Sequence, residues 1–385
     1  MLRMHAKKGL LAWQGFILVG LLTAACRPAS DDRDEPGERL ELIVISRTKA
    51  DVEFSQITGV GTDSRGNLYI GDRLGTIVVA DANGALLRRM GRMGHGPGEF
   101  QSVATVRVLE GDSLYVYDGY AQRATVYKPH SDEVAYTTRF PQPDFSFPMD
   151  VEPTQSGVVI GHFRRINGEV PIAGQRRDDV IRTLSRDGTI LQDTVLTVRE
   201  PDVVEIHTER DHGFFFPEFI RKTLVRWDQS GRIYSLWTDS ARVRIHDVSG
   251  QRRGEFTAKL PQSHLPIESS TLDSISELSV APGFSKATLR DAFRSRWQTW
   301  PLVQDMLVDD QSRIWILPVS HAPQVSWLAF DTRGRQLATV QLPRSVRPRL
   351  IRGDRMYAVS RDSLDVESLV VYRLAPSSTR IKEGS

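Results

Sequence analysis

Asp63-Ser64-Arg65-Gly66-Asn67-Leu68-Tyr69-Ile70 sets the organisation of the chain, because it recurs. Degraded copies follow as Gly111-Asp112-Ser113-Leu114-Tyr115-Val116, Ser156-Gly157-Val158-Val159-Ile160, Asp228-Gln229-Ser230-Gly231-Arg232-Ile233-Tyr234-Ser235, Ser312-Arg313-Ile314-Trp315-Ile316 and Gly353-Asp354-Arg355-Met356-Tyr357-Ala358. With Tyr69, Tyr115, Val159, Tyr234, Trp315 and Tyr357 as equivalent positions, successive copies stand 46, 44, 75, 81 and 42 residues apart. Three of those steps match the roughly 40–50 residues of a four-stranded propeller blade. The two long steps require insertions: two extended connections between His162 and Phe219, and a polar segment of helical character at 261–300.

A second signal follows the first, an apolar run closed by Asp-x-x-Gly or its relative. It reads Val78-Val79-Ala80-Asp81-Ala82-Asn83-Gly84, Leu184-Ser185-Arg186-Asp187-Gly188, Ile245-His246-Asp247-Val248-Ser249-Gly250 and Phe330-Asp331-Thr332-Arg333-Gly334. Asp accepts from turn amides and Gly takes positive φ, so these are hairpin turns. Each repeat therefore has two hairpins, which make one four-stranded antiparallel sheet. Six such sheets set radially predict an all-β, six-bladed β-propeller with a small helical insertion between the fourth and fifth blades. The last repeat offers only three apolar runs, at 346–351, 356–360 and 368–374, while residues 40–46 form an orphan run at the other end. That run is expected to become the outer strand of the last blade and close the ring. A stacked solenoid that never closes is the alternative.

The blade pattern resembles that of NHL-type six-bladed β-propellers, whose Gly-x-Gly-Pro-Gly-Glu-Phe linker is similar to Gly94-His95-Gly96-Pro97-Gly98-Glu99-Phe100. The resemblance spans residues 40–374 and implies architecture. Members of that group include binding scaffolds, lyases and hydrolases, so it implies no activity.

The N-terminus points to export. Arg3, Lys7 and Lys8 precede an apolar run at 9–22, then Thr23, Ala24, Ala25 and Cys26. This is the layout of a secretory signal, and the run is short for a bilayer span. Leu22-Thr23-Ala24-Ala25-Cys26 resembles the lipobox of bacterial lipoproteins, which implies lipidation at Cys26 and a membrane anchor in the cell envelope, facing the periplasm or cell surface. A plain signal peptide and an uncleaved anchor are the alternatives. Cys26 is the only cysteine, so no intramolecular disulfide forms. Residues 27–39 are charged and almost without apolar side chains, the composition of a flexible tether. The expected organisation is a signal at 1–25, a tether at 26–39, the propeller at 40–374 and a disordered tail at 375–385.

Lys and Arg number 50 against 48 Asp and Glu, and loss of residues 1–25 leaves the chain near neutrality. That balance gives no electrostatic basis for nucleic-acid binding. In a propeller blade, the turns between strands one and two and between strands three and four share one face. Here that face is tight. The opposite face carries the long insertions and is rimmed by the ends of the second strands, at Asp72, Asp118, His162, Trp237, Pro318 and Ser360. Asp72 and Asp118 read as caps of the following turn. His162, Arg164, Arg165, His212, Trp237 and His321 are the candidate ligand-binding residues, with no catalytic residue assigned. A zinc site needs three or four converging ligands; His162, His207, His212 and His321 are available, but there is no His-Glu-x-x-His, and the expectation is no resident metal, with Ca or Zn as the alternative. Phe214, Phe215, Phe216 and Phe219 either line a partner site or pack the excursion onto the blades. Leu289, Ala292, Phe293 and Trp297 stand at helical spacing behind Ser285 as N-cap, with Arg290, Arg294 and Arg296 expected to face solvent. Together these features predict a binding or assembly module, its partner a protein, glycan or small molecule. The alternative is a hydrolase or lyase with a metal-assisted site at the mouth of the central channel.

Overall fold

The structure, a computed structural model, describes residues 37–49, 52–165, 178–208 and 211–377. The signal, Cys26, nearly all of the expected tether and most of the expected tail lie outside the described residues. Four antiparallel four-stranded sheets follow one another along the chain. Sheet I contains Ile57–Thr62, Leu68–Asp72, Thr76–Ala80 and Leu86–Met90, and sheet II contains Val103–Val108, Leu114–Asp118, Arg123–Tyr127 and Val134–Arg139. Sheet III contains Ser146–Pro153, Val159–Arg165, Asp179–Leu184 and Ile190–Val198; sheet IV contains Thr223–Trp227, Ile233–Trp237, Arg242–His246 and Arg252–Thr257.

The remaining strands form one eight-stranded sheet rather than two separate four-stranded ones. Its first half runs through Val303–Val308, Ile314–Pro318, Gln324–Phe330 and Gln336–Pro343; its second half comprises Val346–Arg352, Arg355–Arg361, Glu367–Pro376 and the N-terminal strand Glu38–Arg47. The N-terminal strand pairs antiparallel with Glu367–Pro376, as expected for residues 40–46. It also begins two residues earlier than expected. Glu38, Arg39 and Leu40 pair in parallel with Ala338, Thr339 and Val340, and this short ladder fuses the two halves. The last strand likewise reaches Pro376, and the Ser377 amide donates to the Arg39 carbonyl at 2.9 Å.

A strand buried on both faces needs apolar partners on both, and here each sheet meets the next through a separate apolar cluster. Tyr69, Ile77 and Val79 of sheet I pack with Val103, Val106 and Val116 of sheet II. Tyr115 and Tyr117 pack with Val151 and Phe163 of sheet III, and Ile160 and Ile181 pack with Val225 and Ile233 of sheet IV. Tyr234, Leu236 and Val243 pack with Met306, Ile316 and Phe330, while Trp315 and Trp327 pack with Met356, Ala358 and Val370. Finally Tyr357, Val359, Leu369 and Val371 return to Val60, Ile70 and Val78 of sheet I. The array closes on itself, an all-β propeller-like fold. Sheets I and II approach closely at Gly59, where an added Cβ would stand 2.7 Å from the Val106 nitrogen.

Polar side chains join the first strands of successive sheets. Arg107 pairs with Glu152 at 2.8 Å, Thr105 donates to Asp150 at 2.9 Å, and Arg226 pairs with Asp305 at 3.0 Å. Burial pushes the Glu152 carboxyl above the usual carboxylate range despite the guanidinium beside it.

The repeat itself has a chemical cause. In sheet I the Asp63 carboxylate accepts from the amides of Arg65 at 3.0 Å and Asn67 at 2.8 Å, and from the Tyr69 hydroxyl at 3.3 Å. The same spacing recurs where the Tyr234 hydroxyl donates to Asp228 at 2.9 Å and where Trp315 Nε1 donates to Asp309 at 2.8 Å. One carboxylate thus fixes the turn and satisfies the polar end of a buried aromatic. Burial first, then the adjacent carboxylate, holds the Tyr69 and Tyr234 phenols above their ordinary range, so both remain donors at physiological pH. In sheet II, where Leu109 replaces the aspartate, the Tyr115 hydroxyl donates instead to the Val151 carbonyl at 2.6 Å.

Two tyrosines make a paired test of this bond. Tyr234→Phe is expected to lower stability by about 1–3 kcal/mol, the range for a hydrogen bond to a charged group. Tyr127→Phe, at a buried hydroxyl without a hydrogen-bond partner among the described residues, is expected to change it by less than about 0.5 kcal/mol. Equilibrium denaturation of both variants measures the difference; equal losses would remove the special role given to the Asp–aromatic bond.

Candidate functional site

Antiparallel pairing places the end of each second strand beside the start of the first. Ile57 faces Asp72, Thr223 faces Trp237 and Val303 faces Pro318. Connections between successive sheets therefore emerge on the face rimmed by the second-strand ends. Asp72 and Asp118 act there as the expected caps. Asp72 accepts from the amides of Ser55 at 2.8 Å and Leu74 at 3.1 Å, and Asp118 accepts from Gln101 at 2.7 Å and Ala121 at 2.9 Å.

Two of those connections carry added structure. Between sheets III and IV, Val204–His207 and His212–Phe215 form a two-stranded hairpin. Between sheet IV and the eight-stranded sheet lie two helices, α1 (Ser269–Leu278) and α2 (Lys286–Arg296). Ser285 caps α2, its hydroxyl accepting from the Thr288 amide at 3.1 Å. Arg294 and Arg296 are exposed, as expected, but Arg290 is drawn to Asp273 of α1 at 3.1 Å, because the first helix supplies an acid the α2 pattern alone does not reveal.

Hairpin and helices share an apolar core of their own. Val204, Ile206 and Phe219 pack with Leu272, Phe284, Leu289, Phe293, Trp297 and Trp300, and Val319 from the end of a second strand joins them. Phe219 meets Phe293, Trp297 and Trp300 edge-on at 5.9, 5.5 and 5.8 Å. Phe215 also packs inward, against Phe284 at 5.1 Å. Phe214 and Phe216 stay exposed, so the four phenylalanines divide between packing and surface. Arg221 ties this unit to sheet IV: it is buried, pairs with Asp239 at 3.1 Å and donates to Thr299 Oγ1 at 3.0 Å.

The candidate residues fall into separate groups. His162 Nε2 lies 2.9 Å from Asp179 Oδ2, and Arg164 reaches the same oxygen at 3.3 Å. Asp179 is buried, so this histidine is engaged with a structural acid that sequence reading did not pair with it. Arg165 ends the same strand, half-buried. Trp237 lies under the Arg199 guanidinium at 3.8 Å, and Arg199 is held by Asp202 at 2.7 Å. His321 is exposed and stands edge-on to Trp300 at 5.1 Å.

His212 has the most distinctive surroundings. It faces His207 directly across the hairpin, with the two rings stacked at 4.1 Å and 7°. Glu205 Oε1 lies 2.8 Å from His212 Nε2 and 3.1 Å from His207 Nε2. Among the described residues this is the one group of three His, Cys, Asp or Glu side chains close enough to share an ion; neither His162 nor His321 belongs to such a group. Glu205 was not singled out from the sequence. The signal was the alternation Glu205-x-His207 on one strand and His212-x-Phe214 on the next, which becomes legible once the turn between them is known.

The architecture has relatives among solved structures. A DUF4221 family member from Bacteroides vulgatus superposes with a TM-score of 0.55 at 10% identity, covering 89% of this chain and 100% of that one. A protein of Bacteroides fragilis, provisionally described as exported, gives 0.51 at 12% identity, covering 88% and 95%. Virginiamycin B lyase from Staphylococcus aureus gives 0.43 at 11% identity over 86% and 99%, a likeness too loose to bear on function. No family model and no curated protein matches the chain. The fold class is thereby that of a β-propeller; the identities carry fold alone.

His162→Ala is expected to lower stability by about 1–2 kcal/mol, since Asp179 stays buried while losing one of the two cationic or hydrogen-bonding side-chain partners it has among the described residues. Denaturation of the single variants and of the double variant with Asp179→Ala measures their coupling. A coupling below about 0.3 kcal/mol would detach His162 from Asp179 and leave it free for a ligand.

Proposed function

We propose that the chain is an exported, lipid-anchored, NHL-type six-bladed propeller that serves as a binding or assembly module in the bacterial cell envelope, using the face that bears the hairpin and helices. The six-blade count treats the two halves of the eight-stranded sheet as blades five and six, fused by the three-residue parallel ladder. It is supported by the six sequence copies and by six apolar clusters between successive four-stranded units. The linker supports the NHL reading: Glu99 accepts from the Gly96 amide at 2.8 Å and pairs with Arg92, while Phe100 anchors the turn in the core. Export and lipidation rest on the apolar run before Cys26, and the neighbour provisionally described as exported agrees with export.

The observation that carries the binding role is the contrast between the two faces. On one, short turns are tied to each other, as where the Ser64 amide donates to Asp112 at 2.9 Å and the Gly353 amide to Asp310 at 3.0 Å. On the other, the chain builds a second apolar core whose own surface exposes Phe214, Phe216, Leu278 and Val280. Added structure on a rigid frame, with exposed apolar groups, is the ordinary design of a recognition surface. His212, Trp237 and His321 are the proposed contacts on this face, with His162, Arg164 and Arg165 at the rim; the partner is a protein, glycan or small molecule, not nucleic acid.

Two measurements test this reading. Cys26→Ala is expected to move the protein from the membrane to the soluble envelope fraction, and continued membrane association would contradict lipid anchoring. Photo-crosslinkers placed at Phe216 and His321 are expected to give discrete adducts in intact cells, whereas crosslinkers at Arg65 and Arg333 on the turn face are not. Adducts of equal yield from both faces, or from neither, would overturn the assignment of the binding face.

A further inference from the structure

We infer that the outward face of the strand pair Val204–His207 and His212–Phe215 is a binding site for a divalent transition metal of the zinc class, held by Glu205, His207 and His212. The inference is independent of the binding role proposed above.

The hairpin alternates. Val204, Ile206, Gly213 and Phe215 face the helices; Glu205, His207, His212 and Phe214 face outward. Gly213 makes the inward approach possible, because an added Cβ there would stand 2.9 Å from the Phe284 ring. The outward set is therefore carried on a platform whose inner side is fixed by packing, which is what a metal site needs from its scaffold.

The outward chemistry matches one class of ion. Two imidazoles on directly opposed residues place their Nε2 atoms 2.8 and 3.1 Å from one carboxylate oxygen. In a tetrahedral zinc shell, bonds of about 2.0–2.1 Å put ligand atoms about 3.3 Å apart. The two Glu205–histidine spacings reach that value by opening a few tenths of an ångström, and the stacked imidazoles turn towards each other to converge on a central ion. All three ligand atoms already lie within 4.8 Å of one another. Phe214 stands edge-on to His212 at 4.8 Å and restrains its ring. Imidazole with one carboxylate suits zinc, copper or nickel; calcium and magnesium require all-oxygen shells. Three protein ligands leave a position for water or for a donor group from a partner.

The arrangement also has a metal-free form, in which His212 donates Nε2–H to Glu205 and His207 lies beside the same oxygen, and experiment separates the two. The full chain, stripped with EDTA and dialysed, is titrated with ZnCl2 and with CoCl2. One zinc per chain is expected, with a cobalt visible spectrum of low-coordinate nitrogen and oxygen ligation. His207→Ala, His212→Ala and Glu205→Gln are each expected to weaken zinc binding at least about tenfold. Their metal-free melting temperatures are expected to stay unchanged, and His264→Ala, which faces Asp239, is expected to bind as the parent does. If His212→Ala alone loses stability, His212→Gln replaces it. The inference is overturned if the parent binds no zinc, if all three variants bind it as the parent does, or if calcium competes with zinc at equal concentration.

Discussion

Closure of the sheet array is the constraint on which the rest of this structure depends. Every interior sheet has an apolar neighbour on each side, but the first and last have one only if the chain brings its ends together. It does so twice. Side chains of sheet I pack against Tyr357, Val359, Leu369 and Val371, and the N-terminal strand pairs with Glu367–Pro376 and joins the two halves of the eight-stranded sheet. The turn at Gly84 then seats on that strand: φ is +82°, an added Cβ would lie 2.0 Å from the Arg47 carbonyl oxygen, and the Lys49 amide donates to the Gly84 carbonyl at 3.0 Å. Beginning and end of the fold are thus locked at one seam, with no disulfide to assist.

Within sheet I, sheet IV and the first half of the eight-stranded sheet, the aspartate-aromatic bond plays the local counterpart of that role. It couples a surface turn to a buried second strand, and its neighbours extend it to the next sheet: Ser312 donates to Asp228 at 3.0 Å, and His130 bridges Asp63 at 3.2 Å and Asp112 at 3.3 Å. A face stitched in this way has few groups left for recognition. The opposite face is freed from that duty, because caps such as Asp118 hold the strand ends and leave the long connections to fold on their own core.

Much of this was legible in the sequence because it depends on short-range chemistry. The repeat gives the second strands, which end at Asp72, Asp118, Trp237 and Pro318 as the pattern implies. Ser285 as N-cap and residues 40–46 as the completing strand follow from local signals of the same kind. What escaped were pairings across distance. The parallel ladder of Glu38 with Ala338 joins residues about 300 positions apart, and Glu38 and Arg39 carry no apolar period to announce it. Asp179 beneath His162, Arg199 over Trp237 and Glu205 beside His212 are likewise side-chain meetings set by tertiary geometry. The hairpin histidines stand five residues apart, and without the register of the turn that spacing fits several conformations.

Deletion of residues 38–47 from the otherwise intact chain, followed by thermal unfolding, tests closure most directly. The account predicts a fall in melting temperature of about 10 °C or more, or loss of cooperative unfolding, because the last sheet would lose its outer strand and the fused ladder together. An unchanged melting temperature would show that the fold does not depend on the N-terminal strand, and would contradict closure as the central constraint.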